Sequence, residues 1–258
     1  MPTASGLYYF AHEADDSARP PLILIHGAGG FHLSWPPQVR RLADQRVYAV
    51  DLPGHGKSEG VGRQSIEDYT EDVTAFMESI GILKAVIAGH SLGSAIAVTL
   101  ALKCPKLVLG LILIGGGAKL RVSPAILEGA SNSSTFDSAL KMVNDCSFGP
   151  HTPPRLKELA TERMANVRPA VLHGDYLACE AFNVLDQLEK IKTPTLIICG
   201  TEDRMTPLKY SEYMHSRIPN SKLEVVDGAG HMLMLEQPGV LADSISRFMD
   251  DLSPRAGR

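Results

Sequence analysis

A hydroxyl, an imidazole and a carboxylate that meet in space can break an acyl bond, and this chain supplies them in the order Ser91, Asp203, His231. A serine hydroxyl is a poor nucleophile at neutral pH. It needs a base within hydrogen-bond reach, and the base needs a carboxylate to orient it. Ser91 stands in Gly89-His90-Ser91-Leu92-Gly93, a G-x-S-x-G pattern that directly follows the apolar run 85–88 and precedes a helix-like stretch. The bare pattern is weak, but its position is informative. A sharp strand-to-helix turn exposes the hydroxyl, and flanking glycines let the chain pass tightly. Asp203 closes Gly200-Thr-Glu-Asp after the run 196–199, and His231 closes Asp227-Gly-Ala-Gly-His after the run 223–226. All three follow predicted strands, and parallel strands place their carboxyl ends on one rim, where ligand sites of open α/β sheets form.

The elements that must position them are legible as short apolar runs at 22–25, 47–50, 85–88, 107–114, 196–199 and 223–226. Continuous rather than alternating apolar character predicts strands buried on both faces, hence an α/β fold with a parallel sheet covered by helices. Ser65 with Asp68 three residues on is a capping-box-like start, Ile66, Tyr69, Val73, Phe76, Met77 and Ile80 recur at helical spacing, and Gly81 supplies a stop. Between Gly116 and about Lys190 the strand rhythm fails, and Pro124, Pro150, Pro153, Pro154 and Pro169 punctuate helical patterns near 124–127, 136–143, 154–167 and 173–185. This stretch is expected to be an insertion, either a packing unit or a lid, with Met142, Phe148, Met164, Leu172 and Phe182 as candidates to face inward. The expected division is a core of residues 1–116 and 191–258 and a helical cap of residues 117–190.

Composition narrows the partners. The 258 residues are 44% hydrophobic and 21% charged, as in ordinary globular chains. Lys+Arg 25 against Asp+Glu 29 gives −4 with neither sign bunched, so no basic face is expected for nucleic acid. The first ten residues lack the charged and apolar regions of a secretory signal, which predicts a cytoplasmic protein. The longest apolar run falls well short of the roughly 20 residues of a membrane span, so stable membrane insertion is not expected. Cys104, Cys146, Cys179 and Cys199 lack metal or disulfide spacing, and neither a metal nor an organic cofactor is expected.

Together the motifs resemble the α/β-hydrolase superfamily, in particular its cap-bearing serine esterases and lipases. His26-Gly27-Ala28-Gly29-Gly30 followed by Trp35 resembles the family's HGxxGxxxxW loop, and Asp51-Leu-Pro-Gly-His-Gly-Lys-Ser58 its D-x-P-G-x-G-x-S segment. The resemblance implies Ser91 as nucleophile, His231 as general base and then acid, Asp203 as orienting carboxylate, and the N–H groups of Ala28 and Leu92 as oxyanion hole. It further implies that His26 and His55 support loops and that Asp51 holds a turn. Glu202 is expected in solvent, and His151, His173 and Asp175 are expected as surface polar residues. Gly27, Trp35, Met142, Phe182 and Met232 are the expected substrate contacts, with Leu233 and Met234 adding apolar character beyond the histidine. Two departures stand out: Ser94 follows Gly93 where many relatives have a further glycine, and Gly115-Gly-Gly117 occupies a place where some carry an acid.

Serine at the elbow argues against dehalogenase and epoxide-hydrolase chemistry, which resembling proteins run from an aspartate. Met232 after the histidine argues against hydroxynitrile lyase chemistry, and His90 before the serine disfavours carbon-carbon hydrolysis. The expectation is a serine carboxylesterase acting on small-molecule esters with apolar acyl or alcohol groups. A carbon-carbon hydrolase, a lipase, or a ligand receptor of the same fold is the alternative.

Overall fold

The computed structural model describes residues 2–14 and 19–252. Thr3–Ala4 (β1) and Leu7–His12 (β2) form a hairpin about Ser5 and Gly6. Leu22–Ile25 (β3), Pro37–Arg40 (α1), Val47–Val50 (β4), Ile66–Ser79 (α2), Ala85–His90 (β5), Leu92–Lys103 (α3) and Val108–Ile114 (β6) follow. Four helices come next: Pro124–Ser131 (α4), Phe136–Ser147 (α5), Pro154–Ala165 (α6) and Pro169–Ala181 (α7). The chain then returns through Thr195–Gly200 (β7), Leu208–Arg217 (α8), Ser221–Val226 (β8), Leu233–Glu236 (α9) and Pro238–Leu252 (α10). The sheet order is β1-β2-β4-β3-β5-β6-β7-β8, parallel from β4 to β8, with β2 antiparallel to β4.

The six apolar runs are six of the strands. Side-chain alternation divides the core between the sheet's two faces: Ile23, Ile25, Ile87, Leu111, Leu113 and Ile197 pack with α2 and α3, while Leu22, Leu24, Val86, Ala88, Ile112 and Ile198 pack with α1 and α10. The expectation of burial on both faces fails for β8, where Val226 is buried but Val225 is 45% exposed. Among the described residues it is an edge strand, paired with β7 alone, so one side of it meets water. The strands β1 and β2 escaped the sequence reading because the other edge is also half-wet and carries no continuous aliphatic run. Helix α2 starts as its sequence predicts: the Ser65 hydroxyl accepts the Asp68 N–H at 3.1 Å, and Gly81 follows its end at φ 71°.

Helices α4–α7 lie between β6 and β7 and bury an apolar cluster of their own, including Ile126, Phe136, Leu140, Val143, Leu172 and Tyr176. Two carboxylates tie this insertion to the loops above the sheet. Asp175 of α7, expected at the surface, is instead fully buried. It accepts the Gly29 N–H at 2.9 Å, the Tyr69 hydroxyl at 2.5 Å and the His55 Nε2–H at 2.9 Å. Sequence reasoning missed it because its partners lie more than a hundred residues upstream. On the other side, Glu236 of α9 accepts the N–H groups of Gly149 and Gly230, each at 2.8 Å, and the Thr152 hydroxyl.

The histidines beneath these loops divide by charge, and geometry explains the division. His26 donates from Nδ1 to the Gly27 carbonyl at 2.8 Å and accepts the Leu52 N–H on Nε2 at 3.0 Å, which fixes a neutral ring. Burial, reinforced by His55, lowers its pKa to about 4. His90, buried against His231 and donating to that residue's carbonyl at 3.0 Å, is lowered to about 3. His55 differs, because both its nitrogens face acceptors, the Pro53 carbonyl at 3.0 Å and Asp175. Burial opposes its charge, yet the Asp175 carboxylate outweighs burial and raises the pKa. His26 and His55 thus support loops, and Asp51 holds a turn by accepting the N–H groups of His32 at 2.5 Å and Lys57 at 2.9 Å.

Two measurements test this framework. Replacing Asp175 by Ala removes the carboxylate that keeps His55 charged and leaves the buried donors of Gly29, Tyr69 and His55 without their acceptor, each such donor costing about 1–3 kcal/mol, read as a lower urea midpoint. Lowering the pH must also destabilise the fold. Below the ordinary histidine pKa of about 6.5 the unfolded chain protonates His26 and His90 while the folded chain does not, so stability falls by about 2–3 kcal/mol per pH unit down to about pH 4. His55, raised in the fold, contributes fully in that range and loses its contribution only as pH rises. A urea-unfolding free energy that stays flat from pH 6.5 to 4 contradicts the assignment.

Candidate active site

Ser91 sits between β5 and α3 at φ 54° and ψ −113°, a strained conformation for a residue with a side chain. Its neighbours must be small for this turn to exist. A Cβ on Gly89 would meet the Gly93 carbonyl oxygen at 2.0 Å, and one on Gly93 would meet the Ile25 carbonyl oxygen at 2.2 Å. The Ser91 N–H donates to the Ile114 carbonyl at 2.9 Å, anchoring the turn to the neighbouring strand β6. Ten of the twelve residues of α3 are buried, so the serine rides on the most enclosed helix of the fold.

Ser94 fits by an exchange of volume. Its hydroxyl points at Gly116, where a Cβ would lie 2.0 Å away, so the glycine after β6 accommodates the oxygen that a glycine at 94 would lack. Among the described residues that hydroxyl is buried without a hydrogen-bond partner. Gly115, at φ 52°, lies against the imidazole and carboxylate, and a Cβ there would come within 3.1 Å of His231 Nδ1 and 3.3 Å of Asp203 Oδ2.

Asp203, in the loop after β7, and His231, in the loop after β8, are both buried and meet at 2.8 Å between Oδ2 and Nδ1. The other carboxylate oxygen, Oδ1, accepts the N–H groups of Met205 at 2.9 Å and Thr206 at 2.7 Å, and the Thr206 hydroxyl donates at 2.8 Å to the same Oδ2 that faces His231. Burial alone would raise the Asp203 pKa, but His231 and the Thr206 bonds outweigh it and hold the carboxyl below its usual range. Thr206 was not anticipated; the Asp-x-x-Thr spacing, in which a carboxylate caps the turn after it, was the available signal. Glu202 next door is exposed, as expected.

The Ser91 and His231 side chains face one cavity of about 250 Å³. No hydrogen bond joins them among the described residues. The hydroxyl rotates about a single bond, and such contacts tighten when substrate is bound. Gly27 and Ala28 form part of the wall, with Met232 and Leu235 beyond the histidine and Leu120, Val143, Phe148, Met164 and Tyr176 from the insertion and its leading segment. Among the described residues neither the Ala28 N–H nor the Leu92 N–H has an acceptor; the first borders the cavity and the second opens α3 immediately after Ser91. Helix N-termini favour anions at that position.

Several expected contacts lie elsewhere. Trp35 is 1% exposed and packs under the sheet with Leu22 and Val39, so it supports the loop and does not border the cavity. Phe182 packs into the main core beyond α7, and Met142 faces solvent at 37% exposure, on the wet side of α5. Leu233 and Met234 are likewise core residues. Helical periodicity places such residues on a face without saying which neighbour that face meets. Among the described residues no cluster of three or more His, Cys, Asp or Glu side chains is arranged to hold a metal, and no helix is long and apolar enough to cross a membrane.

Comparison with known proteins agrees with this architecture. A solved structure titled as that of a thermophilic esterase is 34% identical, covers 95% of this chain and 98% of its own, and superposes with a TM-score of 0.81. The enol-lactonase from Burkholderia xenovorans LB400 superposes at 0.87 with 21% identity, over 95% of this chain and 96% of its own, and supports the fold alone. RutD of Caulobacter sp. (strain K31), which bears the name of a carbamate hydrolase, is 26% identical over 96% of this chain and 97% of its own. The sequence model of the Alpha/beta hydrolase family matches residues 22–244, from the first parallel strand through both loops that carry Asp203 and His231, and this chain is a member of that family.

Proposed function

We propose that this protein is a serine carboxylesterase in which Ser91 is the nucleophile, His231 the general base and acid, and Asp203 the carboxylate that orients the imidazole. The observation that carries the reading is the junction of the strained Ser91 turn with the carboxylate-held His231 ring on one cavity. With its Nδ1–H donated to Asp203, the neutral imidazole presents the Nε2 lone pair to the serine. His231 removes the hydroxyl proton as Oγ bonds the ester carbonyl carbon, and the carbonyl electron pair moves onto oxygen. The free N–H groups of Ala28 and Leu92 are suited to that oxyanion, where one such donor is worth about 2.7–4 kcal/mol. The oxyanion collapses, the carbon–alkoxy bond breaks, and His231 gives its proton to the departing alcohol. Water, deprotonated by His231, attacks the acyl-enzyme; the acid leaves and Ser91 recovers its proton.

The apolar wall suits an apolar acyl or alcohol group of small to medium size. The thermophilic esterase at 34% identity supports ester hydrolysis. Insertion helices α4–α7, which contribute part of that wall, act in this reading as the cap.

Two sets of rates test the proposal. Ser91→Ala is expected to lower turnover of p-nitrophenyl esters by roughly 10⁶ and Asp203→Asn by roughly 10⁴, as in comparable triads. Near-normal hydrolysis by the Ser91 variant rejects the nucleophile. Across neutral p-nitrophenyl esters of increasing acyl length, kcat/KM is expected to rise from acetate to a medium chain and then fall as the cavity fills. A preference for short, charged esters contradicts the apolar pocket.

A further inference from the structure

The cavity is charged in one sense only. Arg121, Arg163 and Arg204 border it, and among the described residues no aspartate or glutamate does, although the whole chain carries −4. These arginines come from three separate places: the segment after β6, helix α6, and the loop between Asp203 and Thr206. All three are exposed, whereas His231 is buried and Ser91 partly so, which sets the arginines at the mouth and the reacting groups at the inner end.

Two nearby carboxylates are engaged elsewhere. Glu162, beside Arg163, pairs with Arg155 at 3.8 Å, and Glu180 accepts the Val122 N–H at 2.7 Å, one residue from Arg121. Arg204 donates to the Asp145 carbonyl at the end of α5, which holds its guanidinium at the rim with further donors to spare. Neither Arg121 nor Arg163 has an ion-pair partner among the described residues. The backbone under Arg121 is fixed on both sides, by that Glu180 bond and by the Val184 N–H on the Ala118 carbonyl at 2.8 Å. The lining also carries apolar Leu140, Val143, Phe148 and Met164, interspersed with uncharged Asn144, Ser147 and Thr161. Guanidinium groups beside a low-dielectric wall focus a positive field into the cavity, and their planar donors match a carboxylate.

We propose that the cavity mouth is an anion subsite, and that the preferred substrates are esters whose apolar chain ends, remote from the scissile bond, in a carboxylate. This rests on the ester-hydrolase reading and narrows it. The subsite binds one end while Ser91 acts on the other, so short charged esters cannot span the two points and long neutral ones leave the arginines unused.

The test pairs each anionic ester with its neutral methyl ester. Hydrogen suberate p-nitrophenyl ester against its methyl-capped form places the charge on the acyl side, and 6-acetoxyhexanoate against methyl 6-acetoxyhexanoate places it on the alcohol side. In one pair at low salt the anionic form is expected to have roughly tenfold or greater kcat/KM, the scale of a charge-assisted hydrogen bond, and the advantage shrinks at high salt. In the R121Q/R163Q/R204Q protein the ratio falls to about one. Preference for neither anion, or a ratio that survives the triple substitution, overturns the subsite. Calorimetric binding of suberate to the wild-type and triple-variant proteins decides the question independently of turnover: binding weakened at least about tenfold by the substitutions supports the subsite, and equal or undetectable binding refutes it. If no ester in either pair is hydrolysed, the esterase reading fails while the suberate measurement still judges the arginines.

Discussion

Ser91 is held at φ 54° and ψ −113°, a conformation that costs an ordinary residue about 1–3 kcal/mol, and the chain around it is shaped to tolerate that cost. Gly89 and Gly93 let β5, α3 and the end of β3 approach to distances no side chain permits. Nearly complete burial of α3 and the bond from Ser91 to the end of β6 supply the surrounding stability that a strained turn requires. Because the strain lifts the hydroxyl clear of the sheet, the remaining groups need only reach the rim. The loops after β7 and β8 deliver the carboxylate and imidazole there, and Gly115 after β6 keeps the space beside them open.

The inserted helices are joined to this rim at two points by buried acids. Asp175 reaches from α7 to the loop of Gly29, next to the free Ala28 N–H, and Glu236 reaches from α9 to both Gly230, next to His231, and Gly149 of the insertion. Met232 adds a bond from its N–H to the Ser147 carbonyl at 3.0 Å. The insertion therefore shares hydrogen bonds with both the Gly29 loop and the His231 loop. A shift of α7 would move the Gly29 loop, and a shift of the α5–α6 connection would move the histidine loop.

Electrostatics follow the same division between interior and mouth. Buried, His26 and His90 remain neutral, and the negative Asp175 is balanced by His55, so no unpaired charge from these groups faces the place where an oxyanion would form. At the mouth the balance is deliberately one-sided, with three arginines and no acid among the described lining residues. Neutral buried histidines and a positive rim are the features on which the proposed substrate, an apolar chain ending in a carboxylate, rests.

The sequence by itself determined the fold class, the six parallel strands and the order of serine, acid and histidine, because these are local signals. Apolar runs mark strands, glycines mark tight turns, and Ser91, Asp203 and His231 each stand a few positions past a strand. It could not show that Asp175 is buried, that Thr206 clamps Asp203, or that Gly116 makes room for Ser94, since each partner is defined by proximity across the fold. For the same reason it assigned Trp35, Met142 and Phe182 to a cavity they do not border, and missed β1 and β2, whose edge position leaves no continuous apolar run. Only the tertiary structure decides which face of each helix meets the cavity. It also gathers Arg121, Arg163 and Arg204, up to 83 residues apart, around one mouth, because side-chain neighbourhoods between distant segments arise only when the segments pack.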